Sequence, residues 1–351
     1  MQNLCINLPG REYEIKIEKG LLKNSGKLIK ELINPCKAAI VTDSNVAPLY
    51  SETLISSLRE NGFSTALITV APGEGSKSPE TLSVLYDKML EFGITRGDLI
   101  IALGGGIVGD LAGFCASTLL RGIPFVQIPT TLLAQIDSSV GGKVAINLPQ
   151  GKNLVGAFYQ PKLVIIDPLC LDTLSDEIFS DGMAEAIKYG VILDEQLFEK
   201  IESYPSRTKM GEIIEDVISR CCELKKIVVE EDELDTGKRM ILNFGHTFGH
   251  AIEKRYNFKD YSHGQAVACG MVMAAEYGEK TGITPLGTSD RIENLVLSFG
   301  LPTKIDIDKE SLLDAIKIDK KGEGNLVSLI LSEKIGKAAL VPTEKGKVWI
   351  W

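Results

Sequence analysis

The sequence has few histidines and tryptophans, and its cysteines lack the spacing of a metal site. Among 351 residues there are three histidines, two tryptophans and seven cysteines, and no two cysteines form a C-x-x-C motif. An odd number of cysteines in a chain of this length argues against a disulfide framework. The first residues also show no signal-peptide pattern. We therefore expect free thiols and a cytoplasmic protein.

Basic residues and long apolar runs are also scarce. The 38 Lys and Arg face 47 Asp and Glu, which gives a net charge of −9. An acidic chain is a poor candidate for binding nucleic acid, and no apolar run reaches the ~18 residues of a membrane span. We therefore expect neither nucleic acid nor a membrane as a partner. A hydrophobic content of 44% excludes a disordered chain, and the length suggests about two domains.

Short apolar runs in the first half predict a parallel sheet with helices on both faces. Ser78 and Pro79 form a helix start, and that helix is predicted to end near Phe92. The predicted strands are 38–42, 64–70, 98–103, 124–128 and 162–167. The predicted helical stretches are 175–204, 209–231, 243–256 and 262–281, followed by a strand at 326–331 and a terminal hairpin or extended tail. The predicted fold class is α/β + α, with a Rossmann-like parallel-sheet domain over 1–173 and a mainly helical domain over 174–351.

A glycine turn follows the third predicted strand. Residues 104–109 read GGGIVG and match G-x-G-x-x-G, with a helix predicted over 108–120. Such a turn lets backbone N–H groups approach a pyrophosphate at a helix N-terminus. Asp43, the loop 72–77 and Thr130-Thr131 follow other predicted strands, at the edge where open α/β sheets bind ligands. The pattern favours a nucleotide site over a packing turn.

All three histidines lie within eighteen residues. His246 and His250 are one helical turn apart, and Ser262 with Gln265 predicts a capping box that starts a helix at His263. Imidazole is a common metal ligand. The residues alone propose a metal held by all three histidines or by two histidines and a carboxylate. The Glu of H-E-x-x-H is missing, which disfavours a zinc protease.

Several basic and amide side chains adjoin glycines or the suspected metal ligands. Lys143, Lys152 and Asn153 are placed in glycine-flanked loops, and Arg121 precedes Gly122. Other members of the set are Glu185 with Lys188, three residues apart, and Arg239 with Asn243, ahead of His246. Together they suggest a substrate with phosphate and carboxylate groups, which charge-assisted hydrogen bonds would bind.

Five motifs resemble the 3-dehydroquinate synthase family of sugar-phosphate cyclases. They are LGGGIVGD (103–110), IPTTLLAQIDSSVGGK (128–143), GKNLVGAFYQP (151–161), GMAEAIKYG (182–190) and NFGHTFGHAIE (243–253). The resemblance covers roughly 40–330. It implies a homodimeric lyase of the shikimate pathway, which makes aromatic amino acids. The reaction converts 3-deoxy-D-arabino-heptulosonate 7-phosphate to 3-dehydroquinate and phosphate, by transient NAD oxidation, phosphate elimination, re-reduction and aldol closure.

The resemblance also implies site residues. The metal, Zn²⁺ with Co²⁺ as an alternative, would be held by Glu185, His246 and His263. The catalytic and substrate-binding set would be Lys152, Asn153, Lys188, His250, Asp137, Arg121, Lys225, Arg239 and Asn243, with Lys320 or Lys321 closing over the site. The NAD contacts would be Asp43, Pro72, Gly73, Glu74, Gly75, Ser76, Lys77, Gly106, Ile107, Val108, Gly109, Asp110, Thr130, Thr131, Lys143, Lys152, Cys170, Leu171, Asp172 and Thr173.

Three positions depart from the family pattern, and three other functions compete. Val144, Gln265 and Cys269 replace the usual residues, but none removes a charge or a ligand from the expected site. The alternatives are another sugar-phosphate cyclase, a metal-dependent polyol dehydrogenase, and an NAD-sensing module without turnover. The substrate carboxylate implied by Arg239 disfavours the first, and the many cations disfavour the second. The intact metal and cation set disfavours the third.

Overall fold

The computed structural model describes residues 1–256, 260–305, 326–344 and 348. Lys320 and Lys321 lie outside the described residues. The chain divides into two compact units. The first contains Met1–Leu174 and Lys225–Leu234, and the second contains Ser175–Leu224 and Asp235–Trp351, apart from residues outside the description. The expected boundary at 173/174 is one residue from the observed one, but Lys225–Leu234 departs from the expectation because it packs with the first unit.

The first unit is built on a seven-stranded sheet. The strand order is β1-β2-β9-β6-β5-β3-β4, in which β1 is an antiparallel edge strand and the other pairs are parallel. A separate antiparallel hairpin is formed by β7 and β8. The strands are β1 (Gln2–Ile6), β2 (Tyr13–Ile17), β3 (Lys37–Asp43), β4 (Ser64–Val70), β5 (Leu99–Gly104), β6 (Phe125–Pro129), β7 (Lys143–Leu148), β8 (Gly151–Phe158) and β9 (Leu163–Ile166).

Helices cover both faces of this sheet, as the apolar strands predict. Alternate residues of β3 enter different cores: Val41 packs with residues of α3 and α4, and Ile40 packs with residues of α1 and α2. Since successive strand residues point to opposite faces, a strand buried on both sides is apolar throughout. The helices are α1 (Ser25–Lys30), α2 (Ala47–Glu60), α3 (Pro79–Phe92) and α4 (Gly106–Thr118).

The second unit is mainly helical. Its helices are α5 (Asp176–Leu193), α6 (Glu195–Ser203), α7 (Arg207–Met210), the first part of α8 (Ile214–Glu231), α9 (His246–Arg255), α10 (His263–Lys280) and α11 (Thr288–Ser298). The hairpin of β10 (Leu326–Lys334) and β11 (Lys337–Glu344) completes it. α10 is buried along most of its length and packs against α5, α9 and α11. Among the described residues, no helix combines the length and apolar character that crossing a membrane requires.

Some local predictions were wrong. Lys143 and Lys152 lie on the strands β7 and β8, where loops were expected. α4 begins at Gly106, inside the glycine turn, and not at residue 108. The stretch 175–204 contains two helices, because the Asp194 side chain accepts hydrogen bonds from the N–H groups of Gln196 and Leu197 and starts α6. Strands β1 and β2 were not predicted at all.

Candidate active site

The carboxyl ends of the parallel strands bring the predicted nucleotide-binding segments to one edge of the first unit's sheet. β3 ends at Asp43, β4 at Val70, β5 at Gly104, β6 at Pro129 and β9 at Ile166. The segments that follow these strands therefore share one edge. They include Asp43, the loop 72–77, the glycine turn 105–110, Thr130-Thr131 and the segment 170–173.

The glycine turn between β5 and α4 leaves no room for side chains. A Cβ atom at Gly106 would lie 2.9 Å from Ser138 Oγ, and one at Gly105 would lie 3.1 Å from Thr131 Cγ2. Because α4 begins at Gly106, its first N–H groups are the orphan donors of a helix N-terminus. This bare helix start has the form that accepts a phosphate group. The residues present therefore fit a dinucleotide pyrophosphate.

Thr130 and Asp43 place polar groups beside this turn. Thr130 donates its backbone N–H to Gly104 O at 3.0 Å, while its buried Oγ1 has no hydrogen-bond partner. Asp43 Oδ1 accepts from the N–H groups of Asn45 and Val46, at 2.8 and 3.0 Å. The Asp43 carboxylate is thereby held at the end of β3, ahead of α2.

Lys77 is the buried centre of a polar network. Its Nζ lies 2.6 Å from Asp110 Oδ2 and 2.5 Å from Asn153 Oδ1, and the side chain is 4% exposed. Asn147 extends the network through its side chain. Its Nδ2 donates to Glu74 Oε1, and its Oδ1 accepts from the backbone N–H of Asn153. Burial raises the pKa of the Asp110 carboxyl, although Lys77 opposes this shift. The loop, α4 and the β7–β8 hairpin are thus tied together.

Three further predicted residues of the first unit have distinct surroundings. Lys225 is buried and forms an ion pair with Asp137, whose backbone carbonyl also accepts from Lys225 Nζ at 2.6 Å. Arg121 is exposed and has a positive φ of 69°, as does its neighbour Leu120 at 52°. The 170–173 segment lies in a short 3-10 helix, Pro168–Thr173, which Tyr50 contacts through Cys170 O and Thr173 Oγ1.

Glu185, His246 and His263 come together in the second unit. One ligand atom from each lies within 4.8 Å of the others, the only such His/Cys/Asp/Glu group found among the described residues. Glu185 Oε1 is 3.6 Å from His246 Nε2 and 3.4 Å from His263 Nε2. Neither oxygen of the buried Glu185 carboxylate accepts a hydrogen bond in the structure. Two imidazoles and one carboxylate are the ligand set of a catalytic zinc site, with one position left for a substrate.

Close packing of α10 on both α9 and α5 determines where these ligands lie. Gly245 has φ 77° and precedes His246, and a Cβ there would lie 2.7 Å from a side-chain atom of Met271. The predicted capping box of Ser262 and Gln265 is present and starts α10 at His263. Ser262 Oγ also donates to Asp181 Oδ1 on α5 at 2.5 Å. His246 is therefore the first residue of α9, and His263 is the first residue of α10.

The charges around the cluster favour the binding of a cation. Burial alone would raise the pKa of Glu185, but Lys188 and both histidines outweigh it and hold that pKa well below its ordinary value. Burial and then Lys188 lower the pKa of His246 to about 3. Burial opposes protonation of His263, but Glu185 and Glu253 raise its pKa to about 10. Glu185 and Glu253 thus favour positive charge at His263, and a metal ion bound there would take the place of a proton.

Two other predicted residues of the second unit, Lys188 and His250, lie beside this cluster. Lys188 is 1% exposed and pairs with Glu185 Oε2. His250 is exposed, and its ring lies edge-on to that of His246, with centroids 5.4 Å apart. Arg239 is 2% exposed in the 3-10 helix Lys238–Asn243, and Asn243 at its end is exposed.

Two residues close to these sites were missed by the sequence analysis. Asn147 bridges Glu74 and Asn153, and Glu253 lies beside His263. Nothing in the local sequence marks Asn147, because its partners are brought together by the β7–β8 hairpin. Glu253 had one signal: it ends the 243–253 motif, seven residues and two helical turns after His246.

Cyclases are among the solved structures similar to this chain. A 2-deoxy-scyllo-inosose synthase complexed with carbaglucose-6-phosphate, NAD⁺ and Co²⁺ is 27% identical, with a TM-score of 0.89 over 98% of this chain and 97% of that one. The 2-epi-5-epi-valiolone synthase of Streptomyces hygroscopicus, with NAD⁺ and Zn²⁺ bound, is 26% identical, with a TM-score of 0.87 over 96% and 94%. The fold and the Glu-His-His cluster thus define a protein of this cyclase class, and the predicted fold class is confirmed.

Sequence comparison identifies the family within this class. Residues 67–181 match the model described as 3-dehydroquinate synthase N-terminal, and residues 182–322 match the one described as 3-dehydroquinate synthase C-terminal. The 3-dehydroquinate synthase of Clostridium beijerinckii is 49% identical over 98% of both chains. The chain belongs to the 3-dehydroquinate synthase family. The resemblance seen in the sequence is confirmed, and the protein is an enzyme.

Proposed function

We propose that this enzyme converts 3-deoxy-D-arabino-heptulosonate 7-phosphate to 3-dehydroquinate and phosphate, a step of the shikimate pathway. The observation that carries the proposal is the cluster of the buried Glu185 with the half-buried His246 and His263, with Lys188 beside it, in a chain 49% identical to a named 3-dehydroquinate synthase. In such a site, cations would bind the leaving phosphate, and a metal ion would act as a Lewis acid on the reacting hydroxyl groups.

NAD and Zn²⁺ are the proposed cofactors, with Co²⁺ as the alternative metal. Support comes from the two cyclase structures, whose descriptions name NAD⁺ with Co²⁺ or Zn²⁺. NAD would be held by residues of the first unit: the glycine turn, the loop 72–77, Asp43, Asp110, Thr130, Thr131, Lys143, Lys152 and the segment 170–173. When bound, NAD would supply a reversible oxidation of the substrate, and the metal would polarise its hydroxyl groups.

The chain's own residues would bind and orient the substrate. The proposed phosphate ligands are cations or proton donors: Lys152, Lys188, His250 and Arg121. The proposed carboxylate ligands are Arg239, Asn243 and Lys225, because a guanidinium can donate two parallel hydrogen bonds to one carboxylate. Asn153 and Asp137 complete the set. Asp137 is already fixed by its ion pair with Lys225, so it would meet the substrate in one orientation.

The domain roles and the cellular setting are proposals as well. Residues 1–173 would form the NAD-binding domain and residues 174–351 the metal- and substrate-binding domain, with 225–234 of α8 joining the first. We propose a cytoplasmic homodimer acting on a small sugar phosphate. All seven cysteines are free thiols in the structure, which fits a reducing compartment.

One incubation tests the function against its rivals. The metal-depleted enzyme receives Zn²⁺, the heptulosonate phosphate and NAD⁺ at less than one equivalent, and phosphate and product are measured while absorbance follows NADH. We expect many phosphate ions released for each NAD⁺, with no accumulation of NADH. Stoichiometric NADH would favour the polyol dehydrogenase. Turnover of a hexose phosphate, with none of the heptulosonate, would favour another cyclase.

A further inference from the structure

Glu253 is a buried carboxylate to which the proposed reaction gives no role. It lies in the last turn of α9 and is 5% exposed. A carboxylate removed from water is costly unless charged or hydrogen-bonding groups compensate it. Because Glu253 follows His246 by seven residues, both side chains lie on one face of α9. That face meets α10, the helix that begins with His263.

The Glu253 carboxylate faces the outer nitrogen of His263. Its Oε1 lies 3.6 Å from His263 Nδ1, while His263 Nε2 lies 3.4 Å from Glu185 Oε1. The imidazole is therefore placed between two carboxylates, each facing a different nitrogen. A cation bound by Nε2 would be held on the side of the ring away from Glu253. Glu253 can thus act on the metal site through His263 without being a ligand itself.

His246 has an outer partner of another kind. Its Nδ1 lies 3.1 Å from the backbone carbonyl of Phe244. That acceptor is neutral and is fixed by the chain two residues before the ligand, so the backbone itself orients His246. The only charged outer partner found for the two histidines, among the described residues, is therefore the one at His263. A carboxylate there makes the imidazole a more basic ligand than a carbonyl does.

We propose that Glu253 is a positioning residue for the metal site. By accepting the Nδ1 proton of His263, its carboxylate selects the tautomer in which Nε2 offers its lone pair toward Glu185 and His246. This inference rests on the proposed metal site, and its result is tighter metal binding. Loss of an outer partner of this kind typically weakens metal affinity by about 10- to 100-fold.

Zn²⁺ affinity of the full-length protein tests the proposal without using catalytic activity. Metal-depleted wild type and Glu253→Gln are titrated with Zn²⁺ in competition with a chromophoric chelator. We expect the variant to bind Zn²⁺ about 10- to 100-fold more weakly. Glu253→Asp keeps the charge at a longer distance and should recover part of the loss. Glu276→Gln is the matched control, since it removes a half-buried carboxylate from α10 away from His263, and it should bind as wild type does.

Two further measurements separate positioning from a general loss of structure. The visible spectrum of the Co²⁺ form should change in Glu253→Gln and stay unchanged in Glu276→Gln, because only Glu253 lies beside the metal ligand His263. The metal-free variants should melt within a few degrees of one another. Equal Zn²⁺ affinity of wild type and Glu253→Gln, or an unaltered Co²⁺ spectrum, would overturn the inference. A wild type that binds no Zn²⁺ would instead refute the metal site of the proposed function.

Discussion

The ion pair of Lys77 and Asp110 allows a quantitative test of the first unit's candidate site. Lys77→Met keeps the length of the side chain and removes its charge. Breaking a buried pair from one side costs about 3–5 kcal/mol, because the remaining charge loses its compensation. Asp110 retains 21% exposure of its side chain, so water replaces part of the lost interaction. We therefore expect the free energy of unfolding to fall by about 3 kcal/mol at pH 7.5.

A double-mutant cycle isolates the pair from the rest of the network. Asp110→Asn removes the charge that Lys77 compensates, so Lys77→Met should cost only about 1.5 kcal/mol in that background, for the hydrogen bond that the Lys77 ammonium donates to the uncharged Asn153 side chain. Urea unfolding followed by circular dichroism gives the free energies. Hydrogen exchange of the α4 amides shows whether the loss lies in the first unit. Equal losses in both backgrounds would refute the reasoning.

The same pair predicts a pH dependence with a definite sign. Burial raises the folded-state pKa of Asp110, and Lys77 opposes that rise. Removing Lys77 raises this pKa further, so the folded variant prefers the protonated carboxyl. When folding raises the pKa of a carboxyl group, the folded protein loses stability at pH values above the unfolded-state pKa of about 3.9. At pH values below that pKa it loses none. The stability difference between wild type and Lys77→Met should therefore shrink as the pH falls toward 4. A difference that stays constant between pH 7.5 and 4.5 contradicts the assignment.

Two further predictions concern the glycines of α4 and the proposed carboxylate site. Gly106→Ala adds a Cβ 2.9 Å from Ser138 Oγ at the helix start, so we expect NAD⁺ to bind more weakly with a small change in melting temperature. Gly113→Ala is its counterpart: the Cβ would lie 2.4 Å from Val144 Cγ1, which should cost about 1–3 kcal/mol of stability and leave NAD⁺ affinity unchanged. Arg239→Lys should lower kcat/KM about 10- to 100-fold for the carboxylate-bearing substrate and barely alter an analogue without the carboxylate. Equal losses of kcat/KM on both substrates would exclude the carboxylate-binding role of Arg239.

The local patterns of the sequence were sufficient for the parallel sheet and for most helix starts. The five predicted strands correspond to β3, β4, β5, β6 and β9 within one or two residues. Four of them, β3, β5, β6 and β9, could be recognised because a strand buried on both faces must be apolar throughout. The edge strand β4 is partly exposed and was recognised as a short apolar run. The start of α3 at Pro79 and the start of α10 at His263 were also predicted, since capping residues act on backbone groups only two or three residues away.

Interactions between distant segments could not be predicted in this way. The residues alone left open whether the third ligand beside two histidines was His250 or a carboxylate; Glu185 was supplied by the family resemblance. In the structure Glu185 lies beside His246 and His263 because α10 packs closely against both α5 and α9. Lys143 and Lys152 were expected in loops for a similar reason, because the residues around each lysine do not show that β7 and β8 pair with each other.

The sequence by itself thus determined the elements whose causes are local: apolar strands, capped helices, the glycine turn and the clustering of the histidines. The tertiary structure decided which side chains share a site, and with it their charge states. Lys77 and Asp110 are 33 residues apart in the chain, as Lys225 and Asp137 are 88 residues apart, yet each pair forms a buried contact. The physical reason is that ion pairing and desolvation depend on distance in space and on burial, and packing sets both of these across the whole chain.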